Sequence, residues 1–278
     1  MKTNFKSSEL KSVNVQGSNI VYREVGNAAG VPLVLLHHIT AIMDDWDPYI
    51  IDELAQERKV IAFDNAGVGM SDGHPLDSIE AMADIALSFI EKLGLEKVDL
   101  LGYSMGGFIA QVMISRKPDL VRKLILVDTG PAGGQGIDKI WGILQEAFAY
   151  AEKEGKHPKQ KLFFTHSQES QEAGMRFLGR LQEPFVQADK AISQEAIQSQ
   201  VKAFIAWGKS NDIYTQGISI PTLVVSGDAD EMIPVSNAFD LANRIKNAHL
   251  AVYPNGNHGA IFQYKELFVE QTTPFLNM

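Results

Sequence analysis

The sequence predicts an α/β protein with a doubly wound, mostly parallel sheet and a helical insertion. Three observations predict it. Short runs rich in Val, Ile and Leu alternate with stretches of helical periodicity. Several of those runs have no polar alternation, as strands covered on both faces do. One long stretch, residues 131–218, carries helical stripes and no buried-strand pattern.

Taken in order, the candidate strands are residues 20–25, 33–37, 60–63, 98–103, 124–128, 222–226 and 250–253. Between the third and fourth, Ile79, Met82, Ala83, Ala86, Leu87 and Ile90 follow the spacing of one helical face. Asp77 with Glu80 is the expected capping box at its start. After the fourth strand Met105, Phe108, Ile109, Val112 and Met113 repeat the rhythm, and Pro118 closes that helix. The turn residues of Gly130-Pro131-Ala132-Gly133-Gly134 then mark a loop. Beyond it runs a stripe of Ile137, Ile140, Trp141, Leu144, Phe148 and Ala151, expected to need apolar cover on one face. Strand signals resume at Pro221. Residues 1–130 and 219–278 are therefore expected to form the core, with 131–218 as a helical lid over the sheet.

Composition narrows the function classes. The 278 residues are 45% apolar, enough for a sizeable core. Against 25 Lys and Arg stand 34 Asp and Glu, a net charge of −9. Such a surface repels phosphate backbones and anionic lipid, so neither nucleic acid nor a membrane is an expected partner. With no cysteine, disulfides, thiolate metal sites and cysteine nucleophiles are excluded. Residues 1–10 are polar and lack the apolar run of a signal peptide. No apolar run approaches the roughly 20 residues of a spanning helix. A cytoplasmic location is expected. Apolar residues on the insertion could serve a lid, a homodimer or both.

The chemistry gathers at Gly102-Tyr103-Ser104-Met105-Gly106-Gly107, which follows an apolar strand and opens a helical pattern. A serine on a tight strand-to-helix turn is pushed out above the sheet, and small neighbours let the backbone turn without clashing. The helix behind it presents free N–H groups and a positive dipole end, which favour developing negative charge. A hydroxyl is a weak nucleophile and needs a base. Of seven histidines, His258 lies just beyond the last candidate strand, at the edge where sheets of this kind place their function. The base needs an acid to fix its tautomer. Asp228, Asp230 and Glu231 cluster after the strand at 222–226, and Asp128 ends another strand. One oxyanion donor is expected to be the N–H of Met105, the other an N–H in His37-His38-Ile39-Thr40. Adjacent histidines on an extended strand point to opposite faces, so His37 and His38 do not suggest a metal.

These motifs resemble the lid-bearing α/β-hydrolase superfamily over nearly the whole chain, in its serine-esterase and cofactor-free haloperoxidase-like branch. Leu35-Leu36-His37 resembles that family's strand ending in His-Gly. Phe63 to Ser71 resembles its D-x-R-G-x-G-x-S loop, and Gly227 to Pro234 its G-x-x-D-x-x-x-P acid motif. The resemblance puts the acid at Asp230 and the second oxyanion donor at Ile39. Two positions depart: His38 stands for Gly and Asn65 for Arg. The implied activity is hydrolysis of an ester, lactone or related acyl compound, a small-molecule substrate, without cofactor or metal. Perhydrolysis and carbon–carbon bond hydrolysis are other reactions on the same triad. Enzymes of the second kind often place Trp after the histidine, where this chain has Gly259. A ligand sensor or signalling partner that has kept the fold is the alternative from another class.

Overall fold

A computed structural model describes residues 4–27 and 30–278. The chain runs through β1 (Lys11–Val15), β2 (Ser18–Val25), β3 (Leu33–Leu36), α1 (Pro48–Leu54), β4 (Val60–Phe63), α2 (Ile79–Lys92), β5 (Val98–Tyr103), α3 (Met105–Arg116) and β6 (Val121–Val127). Four helices follow without a strand: α4 (Ile140–Glu154), α5 (Pro158–Phe163), α6 (Gln168–Gln182) and α7 (Gln194–Lys209). The chain then returns through β7 (Thr222–Gly227), α8 (Ser236–Arg244), β8 (Ala248–Tyr253), α9 (Ala260–Gln263) and α10 (Lys265–Asn277).

The eight strands form one sheet in the order β1-β2-β4-β3-β5-β6-β7-β8. β3 through β8 are parallel, and β1 and β2 add an antiparallel margin. The central strands β3, β4, β5 and β7 are buried at every residue, because helices cover both faces. No helix among the described residues is long and apolar enough to cross a membrane.

The strand missing from the sequence reading is β1. It is largely exposed, so it lacks the apolar run that marks the others. Its signal is the two-residue turn Gln16-Gly17, with φ of +53° and +91°. Positive φ at both positions is what a tight hairpin connection requires.

Three helical expectations are corrected or refined. Ser78, not Asp77, caps α2 by accepting from Ala81 N–H at 3.2 Å. Asp77 instead pairs with Lys202 of α7 at 2.5 Å. α3 ends at Arg116, and Pro118 opens a 3₁₀ turn. In α4 the buried face is Ile140, Leu144 and Ala147, continued from Ile137 in the 3₁₀ turn before it. Trp141 and Phe148 stand one residue, or about 100°, beyond that face and are 45% and 44% exposed. Neither belongs to the buried core, and neither lines the pocket beside Ser104.

The helical segment joins the sheet layer through polar bridges. Arg180 pairs with Asp47 at 2.6 Å, and Lys159 pairs with Asp45. Gln200 Oε1 accepts from Thr40 N–H at 2.7 Å. Between Asp64 and Asp189 the bridge is carboxyl to carboxyl. Burial pushes Asp64 well above the ordinary carboxylate range, and its hydrogen bond to Asp189 and that group's charge push the same way. Asp64 Oδ2 and Asp189 Oδ2 are buried without any other hydrogen-bond partner among the described residues, the arrangement a shared proton would satisfy. A raised folded value means that stability falls as pH climbs from the ordinary carboxylate range to the raised one, and stays lower above it. Asp64→Asn keeps an acceptor for Met43 N–H, now at 2.8 Å, and gives Asp189 an N–H donor. The variant should melt above the wild type at pH 7–8, with the gap closing towards pH 4. Melting curves across that range check it, and a lower melting temperature at every pH would refute the shared proton.

Candidate active site

The turn after β5 builds the first part of the site. Ser104 has φ +55° and ψ −119°, a conformation an L residue rarely holds. Its N–H donates to Val127 O at 2.8 Å, and its carbonyl accepts from Gly107 N–H at 2.9 Å and Thr129 Oγ1 at 2.8 Å. These bonds hold the strained backbone. The glycines are needed because the helix start lies against β3. A Cβ on Gly106 would sit inside the contact shell of the Leu36 carbonyl, and one on Gly102 would lie 2.6 Å from Gly106 O.

His258 follows β8. Its Nε2 lies 2.9 Å from Ser104 Oγ and its Nδ1 lies 2.8 Å from Asp230 Oδ2. The three side chains are buried. Asp230 Oδ1 accepts from Met232 N–H at 2.8 Å and Ile233 N–H at 2.9 Å, which aims Oδ2 at the histidine. Asn257 ties the two loops together, its Oδ1 accepting from His258 N–H at 2.8 Å and Glu231 N–H at 3.0 Å. Tyr103 donates to the His258 carbonyl at 2.7 Å and lays its ring 5.4 Å from the imidazole. Tyr103 and Asn257 were not singled out by sequence, although each adjoins a residue that was.

The other carboxylates fall elsewhere. Asp228 and Glu231 are exposed. Asp128 is buried, with φ +43°. Its Oδ1 accepts from Gly227 N–H at 3.0 Å, and its Oδ2 has no partner. Burial, and next the charge of Asp230, push Asp128 well above the ordinary range. It makes no hydrogen bond to His258 among the described residues.

On the other side of Ser104, neither Met105 N–H nor Ile39 N–H donates to a protein acceptor among the described residues. The left-handed residue in that loop is Thr40, at φ +64°. His38 is outside the left-handed region, so no glycine is required there. Its ring Nδ1 reaches Ile39 O at 2.7 Å, and its edge packs on Tyr103 and Phe163. Asn65, in place of the arginine, donates to Met82 O in the first turn of α2 at 3.0 Å.

Beside the site lies a narrow pocket. Met105 and Ile109 of α3, Leu36 and His37 after β3, and Ala196 and Gln200 of α7 contribute to its wall. Sequence reasoning passed over Gln200. Its one signal was a lone amide on the buried face of an amphipathic helix, between Ala196, Val201 and Phe204.

The family model described as alpha/beta hydrolase fold matches residues 31–263. The solved structure of an alpha/beta hydrolase fold protein from Chitinophaga pinensis is 36% identical, covers 98% of each chain and superposes with a TM-score of 0.94. A 2-hydroxymuconate semialdehyde hydrolase of Pseudomonas sp. (strain CF600) is 28% identical over 90% of this chain and 88% of its own. A non-heme haloperoxidase of Rhodococcus erythropolis is 28% identical over 87% of this chain and 90% of its own.

Proposed function

The chain belongs to the alpha/beta hydrolase fold family as one of its hydrolases, and from that premise we propose that it cleaves an ester, lactone or related acyl compound through an acyl-serine. The observation that carries the reading is the unbroken buried relay from Ser104 Oγ through His258 to Asp230, at 2.9 and 2.8 Å. Ser104 Oγ attacks the carbonyl carbon and its proton passes to His258 Nε2. Asp230 holds the Nδ1–H tautomer and steadies the imidazolium. Met105 N–H and Ile39 N–H receive the oxyanion. As the tetrahedral adduct collapses, the bond to the leaving oxygen breaks and His258 returns the proton to that oxygen. A water, deprotonated by His258, then attacks the acyl carbon and releases acid and free serine.

The helical segment serves as a lid in this reading. Phe163 lies 5.9 Å from the His258 ring, and its carbonyl accepts from Gly259 N–H at 3.0 Å. Ser104 and His258 are fully buried, so a substrate enters when this cover moves. The same contact leaves no room for the Trp that carbon–carbon bond hydrolases often place after the histidine. A Cβ at Gly259 would already press on Phe163 at 2.5 Å. Perhydrolysis begins from the same acyl-serine and differs only in hydrogen peroxide taking the place of water.

A fluorophosphonate probe tests the reading. It should label wild-type protein at Ser104, and labelling should vanish in Ser104→Ala. Folded wild-type protein that resists the probe would favour a sensor that has kept the fold.

A further inference from the structure

We propose that Gln200 and His37 form a recognition pair for an uncharged oxygen, a ketone or ether, on the acyl part of the substrate. The proposal rests on Ser104 being the nucleophile, and it concerns the cavity on one side of it. The strand order β4-β3-β5-β6-β7-β8 decides which part of the substrate enters there. Ser104 follows β5. His258 follows β8 and comes in from that edge, so the leaving oxygen, which takes its proton from His258, faces that side. The cavity walls come from the ends of β3 and β4 on the opposite side, beside Met105. That places the acyl chain in the cavity.

Most of the wall is apolar, from Leu36, Phe63, Val68, Leu76 and Ile109 among others, and no charged side chain lines it. Gln200 and His37 are its buried polar members. The orientation of Gln200 is fixed, because Oε1 must face the Thr40 N–H it accepts at 2.7 Å. Its amide nitrogen is therefore a donor, and it donates to no protein acceptor among the described residues. Neither ring nitrogen of His37 has a partner among the described residues, and Nδ1 is fully buried without one. Burial pushes this imidazole down to about 4, so it is neutral at physiological pH and can donate one hydrogen bond. Unsatisfied polar groups in an apolar wall are costly, and a ligand oxygen would satisfy both. A carboxylate would meet no cation there and would lose its hydration.

The test compares three p-nitrophenyl esters of matched length: pentanoate, 4-oxopentanoate and the glutarate monoester. Rates are normalised to hydroxide hydrolysis. Wild-type protein should favour 4-oxopentanoate over pentanoate by about tenfold in kcat/KM, as expected for one buried hydrogen bond, and should turn over the glutarate ester least. Gln200→Met keeps the length of the side chain and removes the donor. It frees Thr40 N–H as well, which slows every ester alike. The ratio of oxo to plain ester should fall severalfold towards one, with His37 left as the remaining donor, a change that a purely structural role would not produce. Turnover of pentanoate and 4-oxopentanoate at equal normalised rates by wild-type protein would overturn the subsite and leave the nucleophile standing, and so would a ratio that survives in Gln200→Met. No turnover of any ester, with no fluorophosphonate labelling of Ser104, would overturn the nucleophile and the subsite with it.

Discussion

Ser104→Ala and His258→Ala should each lower kcat by on the order of 10⁴-fold or more, and the double variant should be scarcely worse than either. The reason is geometric. Ser104 Oγ and His258 Nε2 share one hydrogen bond of 2.9 Å, and the attack uses both atoms in one step. Once either is gone, the other has nothing to act on. Ser104→Ala is the cleaner probe. It removes one oxygen and leaves the bonds of the turn, all of them from backbone or Thr129. Its melting temperature should stay close to that of the wild type. His258→Ala opens a cavity beside Tyr103 and Phe163 and strands the buried Asp230 carboxylate, so it should also be less stable. Steady-state kinetics with a p-nitrophenyl ester, alongside melting curves, separate the two effects. Near-normal turnover by folded Ser104→Ala would end the assignment. Losses that simply multiply in the double variant would mean that the two residues do not work as a unit.

The second large effect belongs to the acid. Asp230→Asn should reduce kcat by about 10⁴-fold, because an amide at that position favours the wrong imidazole tautomer and cannot stabilise the imidazolium. The substitution is nearly isosteric. The bonds from Met232 and Ile233 N–H to Oδ1 can survive it, so loss of activity would not be loss of fold. Asp128→Asn is the control. Burial and the charge of Asp230 push the Asp128 carboxyl up, away from its charged form, and its hydrogen bond comes from Gly227 N–H, which an amide oxygen can accept equally well. Its turnover should stay within about tenfold of the wild type. Kinetics on the pair distinguish the alternatives directly. If Asp128→Asn were the crippled variant, Asp128 would be the acid in the reacting enzyme and the His258 loop would have to shift to reach it.

Much of this molecule was legible before any coordinates. Alternating apolar runs and helical stripes announced the α/β sheet. The strand, tight turn and helix around Ser104 announced a nucleophile turn. These features are readable because each is set by residues close together in the chain: φ/ψ limits, glycine spacing and the period of the buried face act over a few positions. The exposed β1 escaped because its evidence was a two-residue turn rather than an apolar run.

Other features depend on distances between residues far apart in sequence, and only the tertiary structure decides them. Asp128, Asp228, Asp230 and Glu231 are equally acidic as letters. Which one meets His258 Nδ1 at 2.8 Å depends on how the loops after β7 and β8 converge, with Asn257 tying them. Trp141 continued the stripe of α4 on paper, yet it is 45% exposed, because the face that packs is fixed by neighbouring elements and lies about 100° round the helix. Gln200 and Thr40 are 160 positions apart. Nothing local in either segment encodes their contact, which exists only because the sheet carries the loop after β3 to the place where α7 crosses above it.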